Sequence, residues 1–194
     1  MPLPTWRTPR LLLQPLELAD APAIQQVFPQ WQFVRYLANR VPWPYPADSA
    51  LRYVRDIALP GIARGSEWHW TLRPLQQPEQ LIGLISLYEE AGNNRGFWLD
   101  PQWQGRGLMQ EACDVVTAYW FETLRKPLLQ APKAVPNPAS QRLSQRSGMR
   151  LVATRESDYV SGRLPTQLWE ISREEWAQRT AGGNLNADLA PNDR

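Results

Sequence analysis

DPQWQGRGLMQEA, residues 100–112, is the stretch on which the reading of this 194-residue chain turns. The run before it, GFWL at 96–99, is short and apolar and reads as a strand. The segment after it, 108–124, carries an amphipathic helical pattern. Between them stand Gln102, Gly105 and Gly107, spaced Gln-x-x-Gly-x-Gly. A strand that turns through glycines into a helix aims free backbone N–H groups at one point, and the helix N-terminus adds about half a positive charge there. Such a point suits an anion, best a phosphate or pyrophosphate. Glycine lets phosphate oxygens approach the backbone where a Cβ would block them. The expected donors are the backbone N–H groups of Gln104, Gly105, Arg106, Gly107, Leu108 and Met109. The Arg106 side chain either adds charge at the rim or is simply solvated.

Composition narrows the function classes. Hydrophobic residues make up 43% of the chain, an ordinary globular content, and the formal net charge is only +2. That charge argues against a nucleic-acid or membrane-surface partner. No apolar run approaches the roughly 18 residues of a spanning helix, and the N-terminus lacks the apolar stretch of a signal peptide. Cys113 is the single cysteine, so no internal disulfide forms, and no metal-ligand cluster is visible. The default location is cytoplasmic. One domain is expected over 1–179, with 180–194 a disordered tail.

The expected elements follow from period and punctuation. Strands are read at 10–16, 68–73, 80–88, 96–99 and 128–131, with a closing antiparallel pair at 149–156 and 166–171. Helices are read at 18–28, 33–37, about 50–63, 108–124, within 136–148 and at 174–179. Three prolines in 41–46 forbid regular structure there. This order gives an α/β (α+β) fold, with a mixed, mostly antiparallel sheet of six to seven strands and helices on both faces.

Three kinds of loop bind phosphate in the manner of 100–112. The nucleotide P-loop needs a Lys after its last glycine, and none follows here. The dinucleotide fingerprint needs a third glycine where Gln110 stands. The pyrophosphate loop of acetyl-CoA-dependent N-acetyltransferases, Gln/Arg-x-x-Gly-x-Gly/Ala, matches Gln102, Gly105 and Gly107 in spacing. TPRLLLQPL at 8–16 followed by Glu17-Leu18-Ala19-Asp20-Ala21 resembles the opening of the GNAT acetyltransferase superfamily. Within it the chain resembles the branch of ribosomal-protein N-terminal (alanine/serine) acetyltransferases. The resemblance is carried by Trp43-Pro44-Tyr45-Pro46, Leu81-Ile82-Gly83-Leu84-Ile85, Gly96-Phe97-Trp98-Leu99, and Asn137-Pro138-Ala139-Ser140 with Leu143 and Gly148-Met149. It runs from about residue 7 to 176.

The resemblance implies acetyl-CoA as cosubstrate, no metal, and direct transfer of acetyl to an amine. A protein N-terminal α-amine and a small-molecule amine are both open as acceptors, and so is a homodimeric assembly. A CoA-binding module without efficient catalysis is the rival from another class. The resemblance further implies a sheet splayed at its centre after 96–99, with pantetheine in the gap beside Trp98 and Leu99 and a backbone N–H near Leu99 stabilising the oxyanion. Ser140 is implied as the acid at the departing thiolate; its alternative is service to its own helix backbone. Asn137 is implied as a pantetheine contact; its alternative is a helix N-cap. Relatives carry Glu where Asn94 stands, and Asn cannot take a proton. Glu89 and Glu90, then Glu156 or Asp158, are the remaining candidate bases, or a water chain serves instead. Trp43, Tyr45 and Tyr159 are expected at the acceptor, with the 41–46 and 158–165 loops forming its groove. His69 reads as structurally satisfied, and Cys113 as a buried, inert thiol.

Overall fold

The protein is described by a computed structural model covering residues 2–182. The proposed tail falls outside the described residues from 183 onward. Eight strands form two antiparallel sheets. The first has the order β1 (Trp6–Arg7), β2 (Leu11–Pro15), β3 (Glu67–Pro74), β4 (Gly83–Tyr88), β5 (Arg95–Leu99). The second has the order β6 (Leu128–Ala134), β8 (Gly162–Ser172), β7 (Arg150–Tyr159). The expected splay is the break between β5 and β6.

Helices cover both faces, because the strands alternate two apolar sets. On one face Ile85, Leu87 and Leu99 pack against Ala112, Cys113 and Val116 of α5 (Leu108–Ala118). On the other, Leu84 and Trp98 cluster with Ile24 of α1 (Ala21–Val27), Phe28 after it, Val34 of α2 (Trp31–Val34), Ala50 of α3 (Ser49–Arg52), Val54 and Ala58 of the turn that follows, and Leu59 of α4 (Leu59–Arg64). α6 (Pro138–Arg146) and α7 (Arg173–Gly182) complete the chain.

Proline explains two departures from the expected elements. The helix expected over 50–63 runs through Pro60 because a π-helical turn, Tyr53–Ala58, joins α3 to α4. A wider turn relieves the clash of the proline ring with the carbonyl four residues back. Strand β6 extends through Pro132 to Ala134, beyond the expected end at 131. It is an edge strand, where a missing donor is tolerated. The 158–165 loop is largely strand: β7 and β8 meet in a tight hairpin, with Tyr159 opposite Gly162.

Candidate active site

The break between β5 and β6 is a V closed at one end. Asn94 N–H donates to the Gln130 carbonyl at 2.7 Å, and Gln130 N–H donates to Asn94 Oδ1 at 2.8 Å. Beyond that point the strands share no ladder. Register shows what each edge presents. Asp100 N–H donates to the Ile82 carbonyl and Tyr88 N–H to the Asn94 carbonyl. By the alternation of an antiparallel ladder, Gly96 and Trp98 spend their backbone groups on β4, while Arg95, Phe97 and Leu99 turn theirs into the gap. Across it, Val135 N–H donates to the Pro165 carbonyl and Arg173 N–H to the Pro127 carbonyl. Pro132 and Ala134 therefore face the gap. Gln104 Nε2 donates to the Leu99 carbonyl at 2.7 Å, and Asn137 N–H to the Ala134 carbonyl at 3.0 Å. What remains facing the gap is the N–H of Arg95, Phe97, Leu99 and Ala134 and the carbonyls of Arg95, Phe97 and Pro132. These edges suit an extended chain bearing amides, which would otherwise leave buried polar groups unpaired. Phe97, unassigned in the sequence reading, has both backbone groups in the gap at the middle of β5. Trp98 meets the site through its side chain.

At the open end of the V lies the anion loop. Gly105 and Gly107 hold φ of +76° and +78°, a region costly for residues with a Cβ. No side chain caps α5, so the N–H groups of its first turn stay free for a ligand. Glu111 sits in that first turn, where its charge would oppose an incoming phosphate. Its carboxylate is taken up by the Thr8 hydroxyl, Arg10 N–H at 2.9 Å and Arg10 Nε at 2.8 Å. Arg10 Nη1 also donates to the Arg106 carbonyl at 2.7 Å. Arg10 therefore ties the loop to the helix and neutralises Glu111. About a hundred residues separate these partners in the chain, and no local signal pairs them.

The loop and the gap open into one groove of about 1550 Å³. Leu99, Gln104, Gly105, Gly107, Leu108 and Met109 line its cofactor end, with Asn137 and Ser140 across from them. Asn137 Oδ1 accepts from Ser140 N–H at 3.2 Å, so Asn137 is the α6 N-cap. The Ser140 hydroxyl has no protein partner among the described residues, so it does not serve its helix. Gln102 and Arg106 are exposed and lie off the groove lining, and the Arg106 guanidinium rests 5.2 Å from the Trp103 ring centre.

The α5 side of the gap is strongly cationic. Arg95 is 1% exposed, with Nη1 donating to Thr117 Oγ1 at 2.9 Å, and its Nε lacks a partner among the described residues. Lys133 Nζ lies 4.6 Å from the Phe97 ring centre. Burial, reinforced by the Arg95 charge, lowers the Lys133 pKa to about 7. Burial raises the Cys113 thiol, against the pull of those two cations. Arg95 and Lys133 line the groove with no carboxylate partner among the described residues, and buried cations without a counter-charge fit an anionic ligand better than an empty core.

The opposite face is aromatic. Phe33 stacks on Trp98 at 5.8 Å, and Phe28 lies 4.9 Å from Tyr45, whose pKa burial raises to about 12. Trp43 departs from expectation: it packs on Trp31 at 5.3 Å, 39% exposed, outside the groove. It sits on the surface between the groove-lining Pro42 and Tyr45. Tyr159 lines the groove and shares a hydrogen bond with Thr166 Oγ1 at 2.9 Å. Glu89 and Glu90 line it as well, Glu89 paired with Lys126 and Glu90 accepting from Asn93 Nδ2 at 2.9 Å. Asn94 Nδ2 donates to the Tyr88 and Glu90 carbonyls at 3.1 and 2.9 Å. Its whole amide is thus a strut of the V.

A family model described as an acetyltransferase (GNAT) domain matches residues 10–150. The chain belongs to the GNAT acetyltransferase family. Over 102 residues it is 28% identical to YdaF of Bacillus subtilis (strain 168), a protein provisionally described as a ribosomal N-acetyltransferase. That match covers 50% of this chain and 56% of YdaF, so the chain spans about half the length of this curated relative. The fold is similar to ribosomal-protein-S5-alanine acetyltransferase from Vibrio fischeri, with TM-score 0.75, 13% identity, and coverage of 89% of this chain and 98% of that one. It is also similar to spermidine N-acetyltransferase from Vibrio cholerae, solved with CoA and spermine, with TM-score 0.72, 20% identity, and coverage of 88% and 99%. At these identities the likeness speaks for the GNAT fold alone. Among the described residues no helix is long and apolar enough to cross a membrane, and no group of three or more His, Cys, Asp or Glu is placed to hold a metal.

The family's cosubstrate is acetyl-CoA, which carries a diphosphate and an amide-bearing arm. What the sequence reading missed lies in register: Phe97, Pro132 and Ala134 face the gap by parity, and Arg10 meets Glu111 by sheet order.

Proposed function

We propose that this GNAT chain transfers acetyl from acetyl-CoA directly to an amine, with a protein N-terminal α-amine as the acceptor class. The observation that carries the reading is the pair of unpaired strand edges ending at an uncapped helix N-terminus. Acetyl-CoA supplies the activated acyl group. The loop N–H groups of 104–109 hold the diphosphate, and the Phe97 and Leu99 edge aligns the arm. The Leu99 N–H, directed into the gap, is the donor for the oxyanion. Ser140 supplies a proton to the departing sulfur. Proximity of the thioester and the amine in one groove provides most of the acceleration, since the reactive group belongs to the cosubstrate. The reading places the chain in the cytoplasm, and a lone buried cysteine is compatible with a reducing compartment.

A small-molecule polyamine is the second acceptor class. It is favoured by the carboxylates of Glu67, Glu89 and Glu90 along the groove and by the likeness to a spermidine acetyltransferase. The test is release of CoA thiol, with mass-spectrometric detection of the acetylated product, across spermidine and peptides beginning with alanine or serine. Acetylation of the peptides at the α-amine supports the first class, and acetylation of spermidine alone replaces it with the second. A chain that binds acetyl-CoA and acetylates neither would overturn both.

A further inference from the structure

The proposed transfer needs an acceptor for the amine proton, and the side chains near the closed end of the V are engaged: Asn94 is a strut, Glu89 is paired with Lys126, and Glu90 lies 3.9 Å from Arg40. A different set of side chains stands on the acceptor face of the sheet. His69 on β3 and Ser86 on β4 are direct register partners, and Ser86 is in turn the partner of Gly96 on β5. His69 is fully buried, with Nδ1 2.7 Å from Ser86 Oγ and Nε2 2.8 Å from Glu67 Oε2. Glu67 is 22% exposed, so this chain of bonds reaches solvent at its far end. Its near end is Ser86, which is 0% exposed and borders the groove beside Tyr53 and Tyr88, so an amine reaches its hydroxyl only by passing between those two side chains. The Tyr53 hydroxyl adds a contact to His69 Nδ1 at 3.3 Å. The Tyr88 ring lies across Gly96, within 3.2 Å of where a Cβ of that residue would stand. The relay thus ends two register positions from the closed point of the V at Asn94.

The direction of the relay follows from donor and acceptor types. Glu67, when ionised, only accepts, so His69 Nε2 carries a proton toward it. Nδ1 is then free to accept, and Ser86 Oγ–H donates to it. We infer that Glu67, His69 and Ser86 form the proton path that deprotonates the acceptor amine, an inference that rests on the acetyltransferase reading. Ser86 Oγ takes a proton from the ammonium as its own proton passes to His69 Nδ1. The Nε2 proton passes to Glu67, which becomes a neutral carboxylic acid and exchanges with solvent. The amine gains its lone pair, and no other group changes charge. Ser86 is the residue that meets the amine; His69 and Glu67 act through it.

Gly61 is a second, independent sign that the Glu67 carboxylate is placed rather than incidental. A glycine inside a helix weakens it relative to alanine. A Cβ on Gly61 would stand 2.7, 2.8 and 3.0 Å from Cδ, Cγ and Cβ of Glu67. The α4 helix carries a residue that weakens it, and the space gained is filled by this carboxylate. The charged and titratable groups around the relay are Glu67 from β3, Tyr53 from the π-helical turn, Tyr88 from β4 and Arg40 from the 35–41 segment. Burial raises both tyrosines, so they stay protonated donors.

The test is Glu67→Gln, which keeps an oxygen to accept from Nε2–H but cannot take its proton. With a peptide of N-terminal alanine as acceptor, kcat/KM at pH 7 should fall about 100-fold, within the usual span for proton transfer. Acetyl-CoA affinity and Tm should stay at the wild-type values. The loss should shrink as pH rises and the free amine forms on its own. Gly61→Ala displaces the same carboxylate without removing it and should lower kcat in the same pH-dependent way. His69 is the chain's only histidine, so its ¹⁵N shifts report its tautomer without assignment. A proton on Nε2 with a bare Nδ1 is expected. Wild-type kinetics in Glu67→Gln at every pH, or a neutral imidazole protonated on Nδ1, would overturn the relay while leaving the acetyltransferase reading intact. A wild-type chain that acetylates neither peptide nor spermidine overturns that reading, and the relay falls with it.

Discussion

Asn94 and Gln130 hold β5 to β6 at one point, by two hydrogen bonds of 2.7 and 2.8 Å, and everything beyond that point is open. The side-chain amide of Asn94 also closes the turn between β4 and β5 through the Tyr88 and Glu90 carbonyls. Asn94→Ala removes three of these bonds and leaves the Gln130 N–H without its acceptor. A loss of about 1–3 kcal/mol in stability is expected, read from urea unfolding. Asn94→Glu should not raise the acetylation rate, because the site of the amide is a joint between strands. A faster Asn94→Glu enzyme would contradict a purely structural role for Asn94.

Gly107 sets the geometry of the anion loop. Its φ of +78° resists a β-branched side chain, and a Cβ there would stand 3.4 Å from Arg10 Nη2. The sequence suggests that a new side chain points at the phosphate; the structure aims it at the clamp that neutralises Glu111. Gly107→Val should therefore abolish acetyl-CoA binding in calorimetric titration while far-ultraviolet circular dichroism stays unchanged. Wild-type affinity in this variant would place the diphosphate elsewhere.

Ser140→Ala is expected to lower kcat about 100-fold or less, with little change in acetyl-CoA affinity. The Asn137 cap bonds the Ser140 backbone N–H, so the helix keeps its cap when the hydroxyl is removed. Steady-state CoA release beside direct binding separates the outcomes. Weaker binding at unchanged kcat would make Ser140 a pantetheine contact.

Lys133 carries a cost that changes with pH. Its folded pKa of about 7 lies below that of an unfolded lysine, about 10.4. Between those values the unfolded chain binds a proton that the folded chain does not. Stability therefore falls as pH drops through that window and levels off below about 7. Lys133→Met removes the titration, and at pH 6 it should be more stable than wild type by on the order of 2–4 kcal/mol. The advantage should fade toward pH 10. Paired melting curves at pH 6, 8 and 10 check this, since other groups cancel in the difference. If the cation serves the ligand, the same variant should bind acetyl-CoA more weakly.

Sequence alone determined what depends on neighbours within a few residues. The strand-loop-helix over 96–124, the glycine turns and helices on both faces were legible because hydrophobic period and turn chemistry are local, while the splay after β5 was implied by the family resemblance. Only the tertiary structure decided which edge of a strand each peptide group faces, since a register set by remote partners fixes that parity. It set Phe97 and Leu99 into the gap and gave Asn94 to Gln130. It brought Arg10 to Glu111 and aligned Glu67, His69 and Ser86 into one path. It also turned Trp43 outward, a side chain whose flanking prolines the sequence read as lining a groove. Side chains that meet across a sheet leave no periodic trace in the chain, because the hydrogen-bonded ladder, rather than sequence spacing, brings them together.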